Sequence, residues 1–195
     1  MVRLRRTLVA LVIVVSTSAL AACGEPPEKE MQQAQGAIDA ARAVGAAQYA
    51  RDEFEAASAA LQRAREATDA RDYRLALNHA LDSRERAQNA AREAADNKAT
   101  ARVAADRAVS SATEALTAAG RQSADLEARK APVKALSGAR QSLAVAEQQL
   151  QEAHAAFARG DFPAATSAAT ASALTLAEVR RALEATPTPA PRRGR

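Results

Sequence analysis

Leu136, Leu143, Leu150 and Phe157 recur every seven residues, and Ala139, Ala146 and Ala153 form a second seam beside them. That heptad pattern can be buried only by a helix packed lengthwise against another helix. Alanine on one seam lets the two backbones approach closely. Phe54 and Leu61, with Ala57 and Ala64, carry the same pattern earlier in the chain. Between them, Ala80, Ala87, Ala94, Ala101, Ala108 and Ala115 keep the seven-residue step, although Val103 and Val109 are the only large apolar residues from Asp82 to Ala115.

Composition sharpens the constraint. Residues 23–195 contain 52 Ala against 25 Leu, Ile, Val, Met, Phe and Tyr together, and no Trp. Alanine loses no side-chain entropy in a helix, so it favours helix strongly. It also buries little area, so no large globular core can be made from it. The expected fold class is therefore all-α, with long Ala-rich helices in coiled-coil-like hairpins. The stretch 82–115 must pack by close alanine contact, protrude as a rod, or wait for a partner.

Residues 50–92, shifted by 89, align without a gap onto the C-terminal half. Ala57 meets Ala146, Leu61 meets Leu150, Asp72 meets Asp161, Tyr73 meets Phe162, and Ser83 meets Ser172. This predicts an internal duplication into two helical hairpins. Gly160 suits the position after a helix end. Asp72 and Asp161 suit N-caps, where a carboxylate accepts from unpaired backbone N–H groups. Pro163 fits a first helical turn, and the aromatic after each Asp is expected to staple the corner.

The predicted helices run over about 28–48, weakened at Gly36 and Gly45, then 51–70, 72 to 119 or 130, 132–158 and 162–186, with Gly120 a candidate hinge. The expected organisation is a leader at 1–22 and a tether at 23–30, then an Ala-rich helical region at 31–186. That region divides into repeat one at about 31–92, a connecting helix at about 93–130 and repeat two at about 131–186. A Pro- and Arg-rich tail follows at 187–195.

The leader sets the expected address. Arg3, Arg5 and Arg6 precede an apolar run from Leu8 to Val15, and small residues follow, which is the layout of a secretory signal. Leu20-Ala21-Ala22-Cys23, holding the only cysteine, closely resembles the bacterial lipobox. The resemblance implies cleavage between Ala22 and Cys23 and a covalent lipid on the Cys23 sulfur, with no other cofactor. Several acyl chains anchor a protein far more firmly than one. Gly24, rather than the Asp that commonly retains lipoproteins in the inner membrane, implies the outer membrane, facing the periplasm. Without the leader's three arginines the chain carries 24 basic and 23 acidic residues. A nucleic-acid partner is therefore not expected.

Residues 36–92 resemble an Ala-rich helical domain of unknown function found in bacterial envelope lipoproteins and in envelope proteins that end in an OmpA-like peptidoglycan-binding domain. The family pattern is Ala-Arg-x-Ala-Gly-Ala, then Tyr or Leu with Ala-Pro, a helix, and Gly-Asp-Tyr-x-x-Ala. Here Ala41-Arg42-Ala43-Val44-Gly45-Ala46 and Asp72-Tyr73 carry the likeness. Arg51 stands in place of Pro, and Arg71 in place of Gly. The likeness implies helical hairpins and an envelope location, and it brings no catalytic residue.

Enzymatic and metal motifs are not legible. His79 and His154 are far apart and read as solvated. Serines 110, 111, 123, 137 and 142 lie in no nucleophile elbow. The expectation is a non-enzymatic, membrane-anchored scaffold or interaction lipoprotein. Its partner would be another protein or a second copy, met through Ala-rich helices. The alternatives are a peptidoglycan-associated spacer, touching the wall through the tail with Arg192, Arg193 and Arg195 or through the rod, and a small-ligand carrier or enzyme.

Overall fold

The computed structural model describes residues 25–186, so the leader, Ala22, Cys23 and the tail from 187 onward lie outside the described residues. All regular structure among the described residues is helical. The helices are α1 (Glu28–Ala43), α2 (Ala46–Tyr49), α3 (Arg51–Asp69), α4 (Tyr73–Ala128), α5 (Val133–Ala158) and α6 (Phe162–Glu184). The all-α expectation holds.

Two boundaries differ from the sequence reading. The helix expected over 28–48 breaks at Gly45, whose φ of +94° is left-handed. A Cβ there would also lie 3.3 Å from the Tyr49 ring, so glycine is favoured by both its backbone conformation and the space beside it. Gly120 is no hinge: α4 runs through it unbroken, since one glycine costs a long helix only about 1 kcal/mol.

Helices α3, α4 and α5 end with the same device. Arg71 N–H donates to the Thr68 carbonyl and Asp72 N–H to the Ala67 carbonyl, both at 2.9 Å. Lys130 and Ala131 repeat this onto Glu127 and Leu126, and Gly160 and Asp161 onto Phe157 and Ala156. Each is a Schellman motif, which satisfies carbonyls the helix end leaves open. The residue at the left-handed position is Gly160 only once; Arg71 (φ 61°) and Lys130 (φ 58°) occupy the other two. The departure from Gly at 71 therefore does not remove the turn. After the turns, Asp72 Oδ1 accepts from Leu75 N–H at 3.0 Å, and Asp161 Oδ1 from Ala164 N–H at 3.3 Å. Both aspartates cap helices, as their position before a helix suggests.

The chain divides into two compact units, one ending at Asn97 and the other beginning at Lys98. In the first, Ala34 and Ile38 of α1 meet Ala57 and Leu61 of α3 and Ala87 of α4. Ala41, Ala46, Ala50, Ala90 and Ala94 form its second cluster. In the second unit, Ala119 and Leu126 of α4 meet Leu136, Ala139 and Ala146 of α5 and Leu176, Val179 and Leu183 of α6. Val109, Ala112, Leu150, Ala153 and Ala169 pack beside them. Each unit is thus a three-helix bundle. The stretch expected as a connecting helix, about 93–130, supplies the third helix of the second bundle through residues 105–126.

The buried positions recur. Ala57, Leu61, Ala64, Ala67, Ala76, Ala80, Ser83, Ala87, Ala90 and Ala94 are buried, and so is the residue 89 positions after each. Ala60 is the exception: it is buried, and Gln149, 89 positions on, is half-buried. The fully buried Ser83 hydroxyl donates to the Ala57 carbonyl at 2.8 Å, and the equally buried Ser172 hydroxyl to the Ala146 carbonyl at 2.7 Å. The corner aromatics differ. Phe162 is buried edge-on against Phe157, with centroids 5.4 Å apart. Tyr73 is half-buried, and Thr68 stands where its ring partner would be.

Candidate functional site

The two positions read as a processing site, Ala22 and Cys23, lie outside the described residues, and so do Arg192, Arg193 and Arg195. His79 is half-buried on α4 and His154 exposed on α5. His154 edges a shallow depression of about 380 Å³ with Asp106, Glu114, Ser110, Thr113, Val109 and Phe157. Among the described residues, no group of three or more His, Cys, Asp or Glu is placed to hold a metal ion. Asp72 and Asp161 are engaged as caps. Ser123 is buried in the second bundle.

The alanines expected to receive a partner are largely consumed within their own bundles. Ala87, Ala90 and Ala94 are each 0 % exposed. Beyond Ala94 the buried seam of α4 changes phase. It resumes at Ala105 and continues through Val109, Ala112, Ala119, Ser123 and Leu126, while Ala101, Ala108 and Ala115 are only half-buried. None of residues 95–104 is buried.

The face of each hairpin that turns away from its third helix differs in charge between the two units. In the first unit, Arg86 of α4 donates to Asp82 at 3.0 Å and reaches Glu53 of α3 at 3.4 Å. Arg63 of α3 approaches Asp82 at 4.0 Å. Four charged groups tie α3 to α4 across this face.

In the second unit the corresponding positions, 89 residues on, are Ser142, Glu152, Ala171 and Thr175. The link that remains is a hydrogen bond from Thr175 of α6 to Gln149 of α5, at 3.1 Å. Val145 and Leu174 stand at the same level of the hairpin and are 46 % and 65 % exposed. Residues 162–177 of α6 carry no charge at all, whereas 73–88 of α4 hold Arg74, Asp82, Arg84, Glu85 and Arg86. Sequence reasoning missed this contrast, although the gapless alignment contains it: the charged positions of one copy are Pro, Ala, Ala, Leu and Thr in the other.

No protein-family model, no curated protein and no solved structure matches this chain. Among the described residues, no helix is long and apolar enough to cross a membrane.

Proposed function

We propose that this protein is a lipid-anchored helical scaffold of the bacterial envelope, working by contact with other proteins. The observation that carries the reading is Leu20-Ala21-Ala22-Cys23, placed after a basic and apolar leader and followed by Ala-rich helices. Lipid on Cys23 holds the chain at a membrane, with the outer membrane's periplasmic face as the proposed address. Solvated bundles of alanine-seamed helices then supply contact surfaces. The likeness of residues 36–92 to the Ala-rich domain of envelope lipoproteins supports the same address.

The reading includes descent of the two hairpins from one duplicated unit with coiled-coil-like packing. Its support is the run of buried positions at a constant spacing of 89 and the two buried serines that bond the same carbonyl position. The matching residues of the third helices, Ala34 with Ala119 and Ala41 with Leu126, lie 85 apart. About one helical turn was therefore gained or lost before the hairpin.

Lipid labelling tests the anchor. Cells expressing the wild-type chain and fed a labelled fatty acid should show label on the protein and place it in the membrane fraction. Cys23→Ser should lose the label. An unlabelled wild-type chain would end the reading.

A further inference from the structure

Charge is sorted along the second unit. Leu126, Ala131 and Leu136 cluster with Val179 and Leu183, so the turn between α4 and α5 and the end of α6 close the same end of that bundle. Residues 121–140 and 178–186, which build this end, hold seven Lys and Arg against four Asp and Glu. The remainder of the described unit, 98–120 and 141–177, holds four against five. Residues 187–195 follow directly and add Arg192, Arg193 and Arg195 with no acid.

Two of the four carboxylates are already engaged. Glu127 is tied to Arg140 at 2.8 Å and Glu184 to Arg180 at 3.5 Å. Asp125 and Glu178 remain as counter-charges to the exposed Arg121, Arg129, Lys130 and Arg181. The fold does not ask for this excess. The corresponding connection of the first unit, 85 residues earlier at 44–49, is Val-Gly-Ala-Ala-Gln-Tyr and carries no charge. Lys130 even takes the left-handed position, φ 58°, that Gly160 fills at the end of α5.

The apolar part of the corner selects the kind of anion. Pro132 and Val133 follow Arg129 and Lys130 and are exposed. Val133, at 77 %, is the most exposed large hydrophobic residue among those described. A sugar polymer, a nucleic acid or free phosphate meets the cations and offers a lone valine nothing. A lipid surface meets both: headgroup phosphates face the cations, and the valine enters the boundary between headgroups and acyl chains. A turn between two helices also projects rather than cups, which suits a flat surface better than a peptide.

We propose that the α4–α5 corner of the second unit, with Arg129, Lys130 and Val133, joins the arginines of 187–195 in binding an anionic phospholipid surface. The inference goes beyond the scaffold reading and does not depend on a lipid at Cys23. It gives the second unit a membrane contact of its own, reversible and weakened by salt.

The test is flotation with vesicles. The mature chain, residues 23–195, carries Cys23→Ser, so that neither leader nor covalent lipid holds it. It should float with vesicles of phosphatidylglycerol and phosphatidylcholine and not with phosphatidylcholine alone. Raised salt should release it, and inorganic phosphate at equal ionic strength should not compete. Lys130→Gly removes one cation while giving the left-handed position its preferred residue, so lost binding cannot come from lost folding. It should weaken binding about fivefold, the value of one cation near an anionic surface. Val133→Ser should weaken binding too. Arg159→Gln, at the turn closing the other end of the bundle, should leave it intact.

A chain that ignores phosphatidylglycerol vesicles, or floats equally with neutral ones, overturns the proposal. So does an equal loss from Arg159→Gln and Lys130→Gly, which would mean diffuse charge rather than a corner. Binding abolished by removing 187–195 but untouched by Lys130→Gly would assign the contact to the tail alone and overturn it as well. Tighter binding to purified sacculi than to vesicles, indifferent to Val133→Ser, would replace lipid by wall polymer. None of these outcomes alters the lipid-labelling result at Cys23, so the two readings fail separately.

Discussion

Arg71 sits in a backbone conformation that L-residues with a side chain adopt at a cost of about 1–2 kcal/mol. Its N–H nevertheless completes the turn between α3 and α4. Arg71→Gly should therefore stabilise the first unit by about 1 kcal/mol in urea unfolding, net of the entropy glycine adds to the unfolded chain. Gly160→Ala at the matching turn should destabilise the second unit by a similar amount, since φ there is +77°. The buried serines offer a second test. The Ala57 and Ala146 carbonyls lie inside helices, so removing the extra donor does not orphan them. Ser83→Ala and Ser172→Ala should each cost about 1 kcal/mol. Gly160 and Asp161 were legible in the sequence because turn chemistry is local. Arg71 was not legible as a left-handed residue, because nothing in an arginine announces positive φ; the hydrogen bonds around it impose that conformation.

At the scale of elements, α4 is the informative case. Its alanines keep a seven-residue step on paper, but alanine is so common here that the step selects no face. The buried seam breaks after Ala94 and resumes at Ala105. Only the packing partners, invisible to a one-helix reading, decide which alanines are covered. For the same reason Ala101, Ala108 and Ala115 are not separable from Ala87 and Ala94 in sequence alone, and the second bundle's use of 105–126 is hidden there. Residues 162–177 of α6 are visibly uncharged in sequence, but which residues share a hairpin's outer side depends on helix phase and on the partner. Residues 95–104 hold helix without a buried side chain, tied to the rest of the first unit by the Asn97 amide, which donates to the Tyr49 carbonyl at 2.7 Å, and Val103 is 60 % exposed. Hydrogen exchange should resolve this. Amides of 95–104 should exchange at least about tenfold faster than those of 83–94 and 105–126, through local opening that leaves both bundles folded. Uniform protection along α4 would refute that account.

The two bundles share a plan and differ in substance. Among the described residues, the first buries Ile38 and Leu61 as its only large aliphatic residues, and alanine nearly everywhere else. In the second, Leu176, Val179 and Leu183 occupy the positions where the first has Ala87, Ala90 and Ala94, and Val109, Leu126, Leu136, Leu150 and Phe162 are buried besides. At about 0.8 kcal/mol per buried CH₂, those three exchanges alone favour the second bundle by an amount on the order of 5 kcal/mol, an upper figure because unfolded chains already bury some area. The first bundle should therefore melt first. Its loss need not propagate, because the stretch of α4 at 95–104 transmits no buried contact and can fray independently. Thermal or urea unfolding followed by circular dichroism should show two transitions. Leu183→Ala should lower the later one by about 3 kcal/mol and leave the earlier in place. Leu61→Ala should do the reverse. If both substitutions instead move a single transition equally, the bundles fold as one cooperative body, and the exposed stretch of α4 is stiffer than its burial implies.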